Sequence, residues 1–433
     1  MKIIICFSVF VFFFSALQGQ QPLTPEEAVS ISLKNNYDIL VSRNDANIDS
    51  VNNTLGNAGM LPYLSATGTD NYSPSNNITQ KPSTGPQVTS ANTQSNSLTA
   101  GVNLNWTLFD GGKMFVTKNK LSEIEALGEI DFRDRVLQTT YNVVLAYYNI
   151  VKQKQQQSSI KQVISYNQDR VNILQTSFNA GATAKNNLLQ AKIDFNVSTE
   201  NSLTQENVIN TAKRNLNQLL CRNIDSTAYD VIDSIPLTFK PNKEELLKIV
   251  QTNNTNILAY QKLTAIAALT IKESQSLRLP KVNFNAGYNY ANSNYNYGTT
   301  VSNRTLGPQL GGSITIPLFQ GGNINRQISN SKIQFKSAEY QLENAKLQVQ
   351  TQFQNALTDF ENQQKLLDIE QQNSEMVKEN LEISLLRLKL GQTTALEVKL
   401  AQQSYEDSFT RLINFKYNLK IAETKLKQLI AGL

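Results

Sequence analysis

Leu-Phe-Asp-Gly-Gly at residues 108–112 reveals how this chain is organised, because the motif occurs twice. It returns as Leu-Phe-Gln-Gly-Gly at 318–322, which is 210 residues later. Gly-Ala-Thr at 181–183 returns at the same offset as Gly-Gln-Thr at 391–393. Solenoid repeats have much shorter periods, of roughly 20–50 residues. The sequence therefore predicts a duplicated unit.

A third landmark, Leu-Pro, helps to set the bounds of the two halves. It stands at 61–62 and again at 279–280, an offset of 218 residues. The halves thus differ by 8 residues between Leu-Pro and Phe-x-Gly-Gly. We predict a first repeat at 20–221, an inter-repeat linker at 222–241 and a second repeat at 242–433. Each repeat should contain a helix, a strand pair and a long helical hairpin.

The first 19 residues have the features of an export signal. Lys2 precedes an apolar run at 3–14, and Gly19 is a small residue at the predicted cleavage point. The apolar run is too short to cross a bilayer as a helix. The mature chain would keep one cysteine, Cys221, so no intramolecular disulfide is possible. We predict an exported protein without a transmembrane helix.

Composition argues against nucleic-acid binding and against enzymatic chemistry. The net charge is +5, or +4 without Lys2, and the charges are dispersed. There is no histidine to act as a base or a metal ligand. The segment 110–113, Asp-Gly-Gly-Lys, lacks the first glycine and the final Ser or Thr of a phosphate loop, so it reads as a turn. We expect no enzyme, no metal site and no cofactor.

Very long helices are predicted after both Phe-x-Gly-Gly landmarks. Residues 113–179 contain no proline and one glycine, Gly128, and residues 323–390 contain neither. One helix of that length would reach roughly 100 Å. Apolar residues recur at spacings of three and four, which is typical of a coiled-coil seam. The predicted seam residues are Val136, Val143, Tyr147, Ile150, Ile160, Val163, Ile164, Val171, Leu174 and Phe178, then Leu342, Leu347, Val349, Phe353, Leu357, Phe360, Leu366, Ile369 and Met376.

Gly181 and Gly391 should end these helices, because glycine takes the left-handed conformation of a helix C-cap at little cost. A second helix is then predicted in each half, at 184–220 and 395–430. The candidate N-caps of these second helices are Thr183, Thr393 and Thr394. Each half is thus predicted to form a long helical hairpin with a tight glycine tip.

The segments between Leu-Pro and Phe-x-Gly-Gly alternate apolar and polar residues with a period of two. The alternating runs are 63–72, 98–108, 282–290 and 310–318, and Asn-, Ser- and Thr-rich loops are predicted at 73–96 and 291–307. A soluble sheet would give a similar alternation. However, 82–109 and 282–303 carry no charge, and aromatic residues stand near the ends of the runs. This pattern favours strands of a membrane β-barrel.

Four strands cannot close a barrel, since the smallest bacterial barrels have about eight. Two chains would give eight strands and a lumen filled by side chains, whereas three would give twelve and leave an open lumen. The helices connect to the same end of each strand pair. For an exported protein they should therefore lie in the periplasm.

The order of these features resembles the TolC family of outer-membrane efflux proteins. That order is helix, Leu-Pro, strand, loop, strand, Phe-x-Gly-Gly, long helix, glycine tip and helix, and it occurs twice along the chain. The helical openings also repeat, as Thr-Pro-Glu-Glu-Ala at 24–28 and Asn-Lys-Glu-Glu-Leu at 242–246. The resemblance covers the chain from Leu23 to Leu433. It implies a mainly α-helical homotrimer with a shared twelve-stranded barrel in the outer membrane of a Gram-negative bacterium, in contact with its lipid.

The resemblance also implies a function. Such a channel is the exit duct of a tripartite efflux or type I secretion system, and its partners are a periplasmic adaptor and an inner-membrane pump. A structural coiled-coil or adhesin-like protein anchored by strands is the alternative. That alternative does not require strands with a polar, uncharged face, which a water-filled duct does.

Channels of this family close near the glycine tips, and some carry inward carboxylates six and nine residues after the second-half glycine. Those positions hold Glu397 and Leu400 here, and their first-half counterparts are Asn187 and Gln190. We expect these four residues at the constriction. Thr394-x-x-Glu397 also reads as a capping box, and the two roles of Glu397 are compatible.

The resemblance makes the tips the docking surface for the adaptor. The residues implied are Ala180, Gly181, Ala182, Leu390, Gly391 and Gln392. The family's gate-locking Tyr and Arg positions hold Leu388 and Thr393 here, so the contacts that close this channel should differ.

Overall fold

The computed structural model describes residues 22–433, so the predicted export signal at 1–19 lies outside the described residues. The elements of the described chain, in order, are α1 (Pro25–Asn35), α2 (Tyr37–Asn52), β1 (Tyr63–Gln80), β2 (Val88–Asp110), α3 (Lys113–Asn179), α4 (Lys185–Leu219), α5 (Lys243–Asn253), α6 (Thr255–Ser276), β3 (Lys281–Tyr295), β4 (Ser302–Thr315), α7 (Asn323–Lys389) and α8 (Ala395–Leu429). The mainly helical fold with a small sheet is as predicted. Within residues 22–433, no helix combines the length and apolarity needed to cross a membrane.

The chain forms two compact units, and each draws on both halves of the sequence. One unit contains the chain up to Leu40, Arg135–Val250 and Gln350–Leu433. The other contains Val41–Asp134 and Gln251–Val349, and it includes all four strands.

The four strands form one antiparallel sheet in the order β1-β2-β3-β4. The strand pairs of the two halves are therefore joined by β2 and β3, where Val102 faces Tyr288 and Asn103 faces Gly287. The register shifts between Thr107 and Phe109. Within the described chain, β1 and β4 each have a partner on one side only.

Neither face of this sheet is covered by a hydrophobic core. Thr93 is the one buried residue in the four strands. The apolar face instead exposes large side chains; among them are Leu64, Val102, Tyr288, Leu310 and Ile314. A soluble sandwich buries one face of each of its sheets, so the soluble alternative does not describe this sheet.

The strands are longer than the sequence patterns indicate. The predicted loops at 73–96 and 291–307 shorten to turns at 81–87 and 296–301, because the strands continue through the Asn-, Ser- and Thr-rich segments. Thr and Ser residues pair well across antiparallel strands. Thr79 and Thr89, for example, are joined by a hydrogen bond of 3.1 Å between their hydroxyl oxygens.

The Phe-x-Gly-Gly motif forms a strand-to-helix turn that requires its glycines. Gly111 and Gly112 have φ values of +74° and +82°, and Gly321 and Gly322 have +58° and +76°. Side chains other than glycine are strained in this region. A Cβ on Gly111 would also lie 2.4 Å from the carbonyl oxygen of Ser276.

A buried tyrosine ties the start of the chain to the inter-repeat segment in the first unit. The Tyr147 hydroxyl donates to the Leu23 carbonyl at 2.6 Å and accepts from the Ile232 backbone N–H at 3.1 Å. Ser32 of α1 and Asn36, the C-cap of that helix, both donate to the carbonyl of Leu219, which ends α4. Unpaired carbonyls at helix ends need such partners.

The long helices bury part of the predicted seam and expose the rest. Val143, Tyr147 and Phe353 are fully buried, as predicted. Four predicted seam residues lie instead on exposed faces: Phe178, Leu347, Ile369 and Met376. The spacing rule fails for the last three because α7 carries a second apolar stripe, which is exposed in the described chain, whereas Phe178 lies at the end of α3 beside the first tip.

Candidate functional site

The two hairpin tips have the same backbone geometry, set by one glycine each. Gly181 and Gly391 have φ values of +72° and +71°. In the first tip, Ala182 N–H bonds to the Ser177 carbonyl at 2.8 Å and Gly181 N–H bonds to the Phe178 carbonyl at 2.9 Å. This pair of bonds is the Schellman pattern, and it confirms the predicted glycine C-cap.

The second tip repeats this pattern, with Gln392 N–H bonded to the Arg387 carbonyl at 2.8 Å and Gly391 N–H to the Leu388 carbonyl at 3.1 Å. The predicted docking residues of both tips are exposed: Ala180, Gly181, Ala182, Leu390, Gly391 and Gln392. The structure thus places all six at the surface of the hairpin ends.

The helices that leave the tips begin differently. Thr394 caps α8, because its hydroxyl accepts the Glu397 backbone N–H at 3.2 Å. The predicted capping box is only half formed, since the Glu397 carboxylate binds Arg387 and Thr393 instead of the Thr394 backbone N–H. Thr183 does not cap α4; the N-cap is Ala184, and its methyl side chain has no acceptor. The Thr183 hydroxyl instead accepts from the Asn187 side-chain amide at 3.1 Å.

Glu397 is exposed, and its charge is paired within the chain. Arg387 Nη1 lies 2.9 Å from Glu397 Oε1, and the Thr393 hydroxyl hydrogen-bonds the other carboxylate oxygen. Arg387 also donates to the Gln392 carbonyl at 3.3 Å. The carboxylate that the sequence predicted for the constriction is thus held in a network across the second tip.

The other predicted constriction residues divide between two places. Asn187 and Gln190 line one cavity of about 150 Å³, together with Asp194, Leu396 and Lys399. Leu400 is 55% exposed and lies apart from that cavity lining.

A charged cluster joins α3, α4 and α8 beside this cavity. Arg170 is 2% exposed, and its Nη2 lies 2.5 Å from Asp194 Oδ2. Lys399 Nζ lies 3.0 Å from Asp194 Oδ1, which also accepts from the Gln190 amide at 2.8 Å. A buried arginine is stable only when it is paired.

The cluster shifts the acidity of its carboxyl groups in opposite directions. Burial alone would raise the pKa of Asp194, but the hydrogen bonds and charges of its partners outweigh burial, so this pKa lies below its usual value. Burial raises the pKa of Glu406, which accepts a hydrogen bond from Gln402 at 3.1 Å. Asp194 is thus held in the charged form that pairs with Arg170 and Lys399.

Sequence reasoning missed this cluster, although one signal pointed to it. Val163, Asn167, Arg170 and Leu174 follow the four-three-four spacing of a buried seam, and all four are buried. Two polar residues at seam positions require buried partners. The pattern marks Arg170, but it does not say which residues bind it.

The polar face of the sheet carries a network of uncharged side chains. Asn103 donates to Thr67 at 3.3 Å, and Asn289 donates to Gln309 at 3.1 Å. Asn289 also lies over Gly101, where an added Cβ would be 1.8 Å from its Oδ1. This face can therefore contact water through amides and hydroxyls without fixed charge.

Comparisons with known proteins agree with these observations. The chain is 21% identical over 361 residues to the outer membrane protein TolC of Escherichia coli (strain K12), which covers 78% of this chain and 70% of that protein. The crystal structure of the outer membrane protein VceC of Vibrio cholerae has a TM-score of 0.77 at 17% identity, covering 94% of this chain and 96% of that chain.

The Campylobacter jejuni CmeC outer membrane channel has a TM-score of 0.77 at 16% identity and covers 94% of this chain and 85% of its own. The outer membrane efflux protein family model matches residues 28–222 and 246–432, which reproduces the duplication. Because these matches cover most of both halves, the chain belongs to the outer membrane efflux protein family.

Proposed function

We propose that three copies of this chain form the outer-membrane exit duct of a tripartite efflux or type I secretion system. The sheet carries this proposal. Its apolar face is exposed, its opposite face is polar and, apart from Asp110 and Lys281 at the helix end of β2 and β3, uncharged, and β1 and β4 keep open edges within the described chain. In lipid, unpaired backbone groups at a sheet edge cost several kcal/mol each. Three chains supply twelve strands, enough to close the edges around a lumen.

A second apolar stripe supports contact between copies. Ile369, Met376, Ile383 and Leu390 are exposed and spaced seven residues apart at the tip end of the second hairpin. Apolar residues at every seventh position are typical of a helix that packs against another helix. The homotrimer covers this stripe with a neighbouring copy.

Ion conductance tests the duct directly. Purified trimers in a planar bilayer should conduct ions, because the polar face of the sheet would line a water-filled lumen. A membrane-anchored structural rod would leave the bilayer insulating. Absence of conductance from correctly assembled trimers would therefore favour the rod.

The two faces of the sheet should respond differently to charge. Val102→Arg places a cation on the apolar face and should reduce trimer assembly, since a charge near the bilayer midplane costs roughly 2–4 kcal/mol. Asn103→Arg, one residue away on the polar face, is the matched control and should assemble normally. The measurement is the amount of heat-resistant trimer in outer-membrane fractions. Equal losses for both variants would show that the faces are assigned incorrectly.

The exposed tips are the surface that we assign to the periplasmic adaptor, which connects the duct to an inner-membrane pump. Gly391→Val should abolish export while trimers remain in the membrane, because a β-branched residue at φ +71° forces the turn to rearrange. Gly391→Asn is the control, since asparagine tolerates this conformation. Normal export by the valine variant would show that the tip is a solvated turn and does not bind the adaptor.

The pairing of Arg387 with Glu397 should set the ion preference of the channel mouth. Arg387→Gln leaves three unpaired carboxylates per trimer and should increase cation preference. Glu397→Gln should shift it toward anions, and the double variant should return close to the wild type. Reversal potentials at low salt report the preference, because both side chains are about half exposed and salt screens them. Unchanged potentials in both single variants would leave Glu397 with a structural role alone, as the partner of Arg387 and Thr393 at the second tip.

A further inference from the structure

We propose that Arg304 and Asn292 bind the phosphate group of a lipid in the outer leaflet of the outer membrane, one lipid for each chain. This inference rests on the proposed function, because it requires the sheet to be part of a barrel that spans the bilayer. Arg304 lies near the start of β4, and Asn292 lies directly opposite it on β3.

The strand register places Arg304 on the apolar face of the sheet. Alternate residues of a strand share a face, and so do residues that lie opposite each other on paired strands. Arg304 therefore shares its face with Leu306, Leu310 and Ile314, which are exposed apolar residues of β4. A guanidinium group thus belongs to the face that we assign to lipid.

The depth of Arg304 follows from the length of the apolar segment. All four strands join helices at one end, so the turns at 81–87 and 296–301 face the exterior. In the proposed barrel, the eight residues from Leu306 to Ile314, tilted by about 40°, rise roughly 20 Å. Arg304 adds about 5 Å, which brings it to the outer boundary of an apolar band about 25 Å tall. It therefore lies at the depth of the lipid headgroups.

The Arg304 guanidinium has no anionic partner among residues 22–433. It lies over the ring of Tyr290, 5.2 Å from the ring centroid, and none of the ion pairs in this part of the chain includes it. A charge on the lipid side of a barrel is unfavourable unless it is satisfied. Arginine presents two parallel N–H donors that match the oxygens of a phosphate.

Asn292 supplies further donors beside the guanidinium. Its side-chain oxygen accepts a hydrogen bond of 3.5 Å from the Ser302 hydroxyl. Within the described chain its amide nitrogen has no acceptor, so both amide N–H groups are available to a ligand. Residues directly opposite on antiparallel strands have Cβ atoms about 5 Å apart. Arg304 and Asn292 can therefore contact the same phosphate group.

Asp70 is the one carboxylate on this face of the described strands, and it is too distant to neutralise Arg304. The register runs from Asp70 through Leu98 and Asn292 to Arg304, so the two charges are three strands apart, roughly 14 Å. In a closed barrel, β4 would pair with β1 of the next copy. A strand tilt of about 40° displaces that copy by roughly 16 Å along the strand. Asp70 therefore reaches Arg304 neither within a chain nor between chains.

The duplication shows that the fold does not require this arginine. In the first half, Gln94 occupies the position of Arg304 and Tyr72 occupies that of Tyr290, with equivalent strand pairing. The tyrosine is thus common to both halves, whereas the cation occurs in the second half alone. Strand pairing is possible with either residue, so the charge is left to interact with something outside the chain. Each chain supplies one such site.

The test is the binding of lipid A, a phosphorylated glycolipid of the outer leaflet, to delipidated trimers in detergent. Native mass spectrometry counts the bound lipids at each lipid concentration. Arg304→Gln should weaken the apparent affinity roughly tenfold, because hydrogen bonds to a charged group are lost. Arg304→Lys keeps the charge but loses the parallel donors, so its affinity should lie between those of the wild type and Arg304→Gln.

Two control variants separate a phosphate site from other effects of charge. Lys81→Gln removes a cation from the outer turn at 81–87, on the same side of the membrane but beyond the sheet, and should bind lipid A like the wild type. Asp70→Asn should bind at least as tightly as the wild type. If Asp70→Asn loses as much lipid as Arg304→Gln does, the two residues pair between copies and the lipid site is wrong.

Two further ligands identify the group that is bound. Lipid A from which the phosphates have been removed should bind equally to the wild type and to Arg304→Gln. An excess of inorganic phosphate should not displace lipid A, because the acyl chains contribute much of its affinity. Displacement by inorganic phosphate would show an anion site that does not select lipid, and would overturn the proposal.

The outcomes distinguish failure of the lipid site from failure of the duct. If assembled wild-type trimers do not conduct ions, the duct is wrong. If they conduct and Arg304→Gln binds lipid A as tightly as Lys81→Gln does, the duct stands and the lipid site is wrong.

Discussion

The hydrogen-bonded pairing of β2 with β3 determines the architecture of this protein. It joins strands from both halves into one sheet and leaves the outer edges of β1 and β4 open in the described chain. In the duct that we propose, the bilayer offers no water to open edges, and other copies of the chain complete the sheet. The exposure of Val102 and Leu310 on one face, and the neutral amides of Asn103 and Asn289 on the other, fit lipid outside and water inside.

Much of the fold could be predicted because its decisive signals are local. The glycines of Phe-x-Gly-Gly and of the tips mark positive φ, and α3 occupies the predicted range, Lys113–Asn179. The predicted ends of the strands were wrong, because the residue composition of these segments does not indicate that they pair as strands. Asn-, Ser- and Thr-rich segments have the composition of loops, but a hairpin that has begun continues wherever backbone groups and hydroxyls can pair, as at Thr79 and Thr89.

The site was harder to predict, because its contacts join residues that are distant in sequence. Asp194 lies 24 residues from Arg170 and 205 from Lys399. Periodicity placed Arg170 in a seam, but partners depend on how the hairpins pack. The pairing of Glu397 with Arg387 was also missed, although they are 10 residues apart, because it depends on how α7 and α8 meet at the tip; the cap by Thr394 was predicted. Local rules identify caps, and tertiary packing decides which charges neutralise one another.

The equal lengths of α3 and α7 matter for the charged contacts near the tips. A helix of 67 residues separates the Gly-Gly turn from the tip in both halves. One residue inserted in either long helix would rotate everything after it by about 100° and advance it by about 1.5 Å. Lys399 would then leave Asp194, and Arg170 would leave the buried seam.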